Sequence, residues 1–108
     1  MIGRNLYYIL EGHDVVLVRD PKVWGKWMDK TNGSVNKTKK GNISVSTVFL
    51  GIDHSYGTEQ AGQKPILFET MIFGGLHDGY MERYCTWEEA EAGHANMCEM
   101  AFDQRNYE

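Results

Sequence analysis

No run of apolar residues in this chain is long enough to span a bilayer. The short apolar stretch near the start ends at Glu11, before it reaches signal-peptide length, and no small-residue cleavage site follows. An intracellular, cytoplasmic protein is the expectation. There are only two cysteines, Cys85 and Cys98, and they form no C-x-x-C pair, so neither a disulfide framework nor a thiolate metal site is encoded. The four histidines, His13, His54, His77 and His94, show no strong ligand spacing. Phosphate-binding glycine patterns are missing, because Gly74-Gly75 leads toward a strand, not a helix. The sequence therefore implies no metal and no cofactor.

What remains suits one folded domain over residues 1–108. The composition is 42% hydrophobic and 24% charged, which is not that of a disordered chain. The net charge of −4 is unevenly spread. Residues 19–40 carry seven basic side chains against two acids, and residues 82–108 carry seven acids against two arginines. Such asymmetry serves either partner recognition and self-association or simply two solvated faces.

Residues 6–10 and 15–18 are rich in aromatic and β-branched side chains, and turn-forming residues separate them, which predicts a hairpin. Asp20-Pro21 is a helix start. Val23, Trp24, Trp27 and Met28 then form one apolar stripe, with Lys22, Lys26 and Lys30 on another face. Gly25 lies inside this helix and weakens it by about 1 kcal/mol relative to Ala. The polar, lysine-rich residues 31–42 read as an exposed loop or loose hairpin. Residues 43–53 alternate in part and become apolar on both sides near Val48 to Leu50, as in a strand covered on both faces at its far end. Strands are predicted over 66–73 and 80–84, with a glycine-containing turn between them. Thr86 and Glu89 form a capping box for a last helix whose inward stripe is Trp87, Ala90, His94, Met97, Cys98 and Ala101. The expected fold is α+β: one antiparallel sheet of about five strands and two amphipathic helices, in the order ββαβββα.

The candidate binding residues are Asp53, His54, Glu69, Arg83 and Trp87. Asp53-His54 falls where a long strand enters a loop, so His54 is either a ligand contact or base oriented by Asp53, or a plain turn residue. Glu69 interrupts an apolar strand and is either exposed or buried with a partner, and Arg83 on the next strand is within reach in one register. Trp87, at the first position of the last helix, is expected over the strand ends near Arg83 and the 53–64 loop, as a core cap or as one wall of a site. His94, on an apolar stripe, reads as a hydrogen-bonded core histidine ahead of a metal ligand paired with Glu91. Cys85 lies beside a helix start, where the dipole lowers a thiol pKa, but no histidine adjoins it.

Three stretches, residues 45–54, 67–75 and 83–94, carry a resemblance. They are similar to a group of small phage and bacterial proteins for which no activity is established, so no catalytic residue is carried over. The resemblance implies a phage or prophage setting, in which small accessory proteins bind host factors or nucleotide messengers. With no complete catalytic constellation in the sequence, a non-enzymatic binding protein is the leading expectation, with a host protein or small molecule as partner and self-association alongside. A small hydrolase using His54 with Asp53 or Glu69 is the alternative. Nucleic-acid binding through Lys22, Lys26, Lys30, Lys37, Lys39 and Lys40 is a third reading, set against the overall acidity.

Overall fold

A two-residue turn fixes the first hairpin. In the computed structural model, which describes residues 7–54 and 64–103, Glu11 of β1 (Tyr7–Glu11) lies opposite Asp14 of β2 (Asp14–Val18). Only Gly12 and His13 remain to reverse the chain, and Gly12 adopts φ 62°, as primed hairpin turns require. The hairpin is a sheet of its own. It joins the rest through the Tyr8 N–H, which donates to the Gly51 carbonyl at 2.8 Å, and through a single bridge between Tyr7 and Ile52.

The helix α1 (Pro21–Thr31) starts as its sequence dictates. Asp20 accepts from the Lys22 N–H at 2.9 Å, and Pro21 occupies the first turn, where its missing N–H costs nothing. It ends at Asn32, whose left-handed φ of 69° turns its N–H onto the Met28 carbonyl. Trp27 meets Phe49 edge-on, with ring centroids 5.6 Å apart, and Trp24 and Met28 close over Gly51, where a side chain would have no room.

Four antiparallel strands follow: β3 (Ser34–Lys40), β4 (Ile43–Phe49), β5 (Phe68–Phe73) and β6 (Met81–Tyr84), side by side in chain order. Among the described residues the architecture is therefore ββαββββα, six strands in two sheets, and corrects the expectation of a single five-stranded sheet. The additional strand is the lysine-rich segment read as an exposed loop or loose hairpin, and it is one arm of a hairpin with β4. As an edge strand β3 buries little: only Val35 and Thr38 are even partly covered, and the lysines stay in water. Charged edge strands of this kind resist pairing with other chains, and they carry almost no hydrophobic period. Tyr8, Leu10 and Val15 of the hairpin pack on the Phe49–Phe68 cluster.

The last helix, α2 (Trp87–Phe102), begins with the expected capping box. Thr86 Oγ1 accepts from the Glu89 N–H at 3.1 Å, and Glu89 Oε1 accepts from the Thr86 N–H. The helix buries Ala90, Gly93, His94, Met97 and Ala101 against β4 and β5. Val45, Thr47 and Phe49 face it from β4, and Phe68, Thr70 and Ile72 from β5, all nearly or fully buried. The core has two clusters, one around Val45, Ile72 and Met97, the other around Phe49, Leu67 and Phe68. Each large apolar side chain buried there contributes about 1.5–3 kcal/mol. Among the described residues no helix is long and apolar enough to cross a membrane.

Candidate binding surface

Strand alternation sends every second residue of the four-stranded sheet away from α2. Register assigns Lys37 and Lys39 of β3, Ser44, Ser46 and Val48 of β4, Glu69, Met71 and Phe73 of β5, and Met81 and Arg83 of β6 to that second face. No described element packs on it. Met71 lies directly opposite Met81, and Phe73 follows two residues on along β5. Phe73 is 47% exposed and Met81 37%. Near the far end of β4, Phe49 is buried on the α2 side, and Val48 and Leu50 are partly buried.

Two of the sequence-predicted residues meet on this face. Arg83 Nε donates to Glu69 Oε2 at 3.0 Å, between directly opposed positions of β5 and β6. The side chains are 35% and 18% exposed, so the pair contributes at most about 1 kcal/mol and serves mainly to fix two polar groups beside Met71 and Met81.

The other three lie elsewhere. Asp53 Oδ1 accepts from the Ile66 N–H at 2.8 Å, and the His54 N–H donates to the Ile66 carbonyl at 2.9 Å, so this pair fastens two chain segments together. Residues 55–63, the rest of the loop assigned to the candidate site, lie outside the described residues. Trp87 packs edge-on to Phe68, which faces α2, and therefore lies on the opposite side of the sheet from Glu69 and Arg83. Its ring stacks on His13 of the hairpin turn, with centroids 4.0 Å apart and planes 10° from parallel. It caps the core between hairpin and sheet and does not reach toward Arg83, and its indole N–H is buried without a hydrogen-bond partner.

The remaining candidates sort by environment. His94 is 4% exposed and fully hydrogen-bonded, as expected of a core histidine. The Cys85 thiol is pushed up from its ordinary pKa by burial, then by Glu89, with Lys64 opposing and Asp53 adding to the rise. The direction is opposite to the lowering that a helix start favours. Among the described residues no three His, Cys, Asp or Glu side chains cluster to hold a metal ion. A cleft of about 270 Å³ opens between hairpin, α1 and β4, lined by Leu10, Trp27, Thr31 and Phe49 with the backbone around Gly12, Gly33 and Ser34. Among the described residues no charged side chain lines it.

The alternation within 68–73 is the signal that exposes the contact face. Phe68, Thr70 and Ile72 point one way, and Glu69, Met71 and Phe73 the other. Read as an apolar run with one acid inside it, the same segment conceals Met71, Phe73 and, across the strand pair, Met81. Comparison with protein-family models, with curated proteins and with solved structures finds no match.

Proposed function

We propose that this chain is a non-enzymatic binding protein that docks a protein partner on the open face of its four-stranded sheet. One observation carries the reading: Met71, Phe73 and Met81 form a contiguous apolar patch between a lysine edge and an ion pair. An apolar centre inside a polar rim is the ordinary anatomy of a protein interface. Methionine adapts to irregular partner surfaces because its chain is unbranched and its sulfur polarizable. The partner is a protein that presents an apolar side chain to Met71 and Met81 and acidic groups to Lys37 and Lys39. The resemblance to phage proteins makes a host protein the natural candidate.

The competing readings gain less. A nucleotide messenger needs cations for its phosphates, and among the described residues none lines the cleft between hairpin, α1 and β4. For nucleic acid, the β3 lysines do not share one face: Lys37 and Lys39 lie on the open face of the sheet, whereas Lys40, opposite Ile43, lies on the α2 side over the Phe102 ring. A hydrolase built on Asp53, His54 and Glu69 would draw on carboxylates already committed to Ile66 and Arg83.

The test compares Phe73→Lys and Met81→Lys with Val23→Lys, an equally exposed change on α1. Each protein is purified under native conditions and weighed by native mass spectrometry. Retained protein partner should be lost from the first two and kept by the third, with all three folded. Sedimentation velocity at several concentrations identifies the case in which the partner is a second copy. Equal retention by all three would overturn the assignment.

A further inference from the structure

A single imidazole joins α2 to three strands. His94 Nε2 lies 2.9 Å from Thr38 Oγ1 on β3, and Nδ1 lies 2.7 Å from Thr47 Oγ1 on β4. Thr47 Oγ1 in turn lies 2.6 Å from Thr70 Oγ1 on β5. Thr47 and Thr70 are completely buried, and Thr38 is partly open. A neutral imidazole has one donor and one acceptor nitrogen, and three rotatable hydroxyls complete the chain of hydrogen bonds for either tautomer. The neutral form is therefore fully satisfied.

The protonated form keeps both hydrogen bonds, since both nitrogens would donate and the hydroxyls could reorient, but it places a positive charge in a buried site whose hydrogen-bonding partners are all neutral. Among the charged and titratable groups on the packed elements, Glu91 and Glu99 of α2 are exposed, and Lys37 and Lys39 flank Thr38 but point to the other sheet face. Lys40 lies over the Phe102 ring, 6.0 Å from its centroid. Glu82, opposite Thr70, accepts from the Tyr80 hydroxyl, and Glu69 pairs with Arg83 on the far face. The Tyr84 phenol, over Gly93, is raised by burial first, with Thr70 opposing, and stays neutral. Burial pushes the His94 pKa down.

We propose that His94 is an acid-sensitive latch between α2 and the edge strand β3, closed by the neutral imidazole and opened by its protonation. β3 is the element that yields because it has one hydrogen-bonded neighbour strand and buries only Val35 and Thr38 in part. β4 and β5 are held by Val45, Phe49, Phe68 and Ile72. Releasing Thr38 admits water to the charged ring at the smallest loss of packing. Because the folded pKa is depressed, the latch is intact above the ordinary imidazole value of about 6.5 and weakens as pH falls below it. An open state that binds one more proton gains about tenfold in population per pH unit in that window. The latch does not depend on the identity of the partner.

Amide hydrogen exchange of the whole chain, corrected for the intrinsic pH dependence of exchange, tests it. Between about pH 7 and about pH 5, protection in β3 should fall progressively while β5 and the middle of α2 keep theirs. His94→Gln, which can still donate and accept but not charge in this range, should remove the pH dependence of β3. If His94→Gln fails to fold, Thr38→Val serves, since it detaches only the β3 arm and should make β3 protection low and pH-independent. A merely structural histidine would change protection at all pH values alike. Unchanged β3 protection in the native protein, or loss from β3 and β5 together, or a pH response that survives His94→Gln, would each overturn the latch.

Discussion

Two glycines inside helices should respond in opposite directions to the same substitution. Gly25, in α1, has a negative φ, and nothing lies within 4 Å of where a Cβ would stand. Gly25→Ala should therefore gain the full difference in helix propensity, about 0.8–1.0 kcal/mol, or roughly 4–8 °C in Tm for a domain near this size. Gly93, in α2, is buried, and a Cβ there would run into the ring and hydroxyl of Tyr84. The propensity gain is the same, but the ring must move, and overpacking of a core costs about 1–3 kcal/mol. Gly93→Ala should accordingly lose up to about 2 kcal/mol net. Urea unfolding followed by tryptophan fluorescence and far-UV circular dichroism reads both. The cause is isolated by a double-mutant cycle: in a Tyr84→Leu background, Gly93→Ala should become neutral or stabilising, with a coupling of at least about 1 kcal/mol. If Gly93→Ala stabilises the protein as much as Gly25→Ala with Tyr84 present, the packing argument is wrong.

Thr86→Ala removes the cap of α2 and should cost about 1 kcal/mol, seen as a lower urea midpoint and faster exchange in the first turn of the helix. Thr47→Val keeps the shape of a completely buried side chain but strips both His94 Nδ1 and Thr70 of their shared partner, and should cost about 1–3 kcal/mol in the same assay. Trp87→Phe removes an indole N–H that makes no hydrogen bond, so the loss should be limited to part of the stacking on His13, about 1 kcal/mol, with partner retention unchanged. Loss of the partner without loss of stability would return Trp87 to the binding site.

Local chemistry made much of the fold legible. Asp20-Pro21, Thr86 with Glu89, and the glycine turn at 12–13 act within a few residues of themselves, and each forms as its own sequence requires. β3 was hidden because its strand character comes from pairing with β4, while its own side chains are mostly solvated. Gly93 was hidden for a related reason. Its burial depends on Tyr84, nine positions away on another element, and no helical period marks a glycine as apolar. The separation of the hairpin from the main sheet was equally out of reach, because antiparallel strands and short loops fit one sheet or two.

The candidate site was legible in its charged half. An acid inside an apolar strand and an arginine on the next pointed to each other, and register brings them together at 3.0 Å. Asp53, His54 and Trp87 were grouped with them because they neighbour the same strand ends in sequence. Side-chain alternation separates Trp87 from the ion pair, since one position along β5 divides Phe68, which Trp87 packs on, from Glu69, while Asp53 and His54 are bound to Ile66. The apolar half of the open face, Met71, Phe73 and Met81, resembles core until the sheet is seen to carry a helix on one side.

The edge strand β3 belongs to both proposals, and that makes them thermodynamically linked. Lys37 and Lys39 project onto the open face, and Thr38 between them projects onto His94. A partner that contacts Lys37 and Lys39 binds the closed position of β3, and protonation of His94 favours the open one. Linkage requires the two effects to be reciprocal: acid must weaken the partner, and the partner must make His94 harder to protonate. The magnitude follows the population of the open strand. While the closed form dominates, affinity hardly changes. Once acid opens β3 in most molecules, the apparent Kd should rise by about tenfold per further pH unit, down to the depressed pKa. Calorimetric titration of the isolated partner across this range should give a steep loss of affinity with the native chain and a flat profile with His94→Gln. Carboxylates on the partner titrate too, and the His94→Gln profile is the control that subtracts them. A native profile no steeper than that of His94→Gln would separate the two proposals: the partner would then rest on the Met71–Met81 patch without clamping β3.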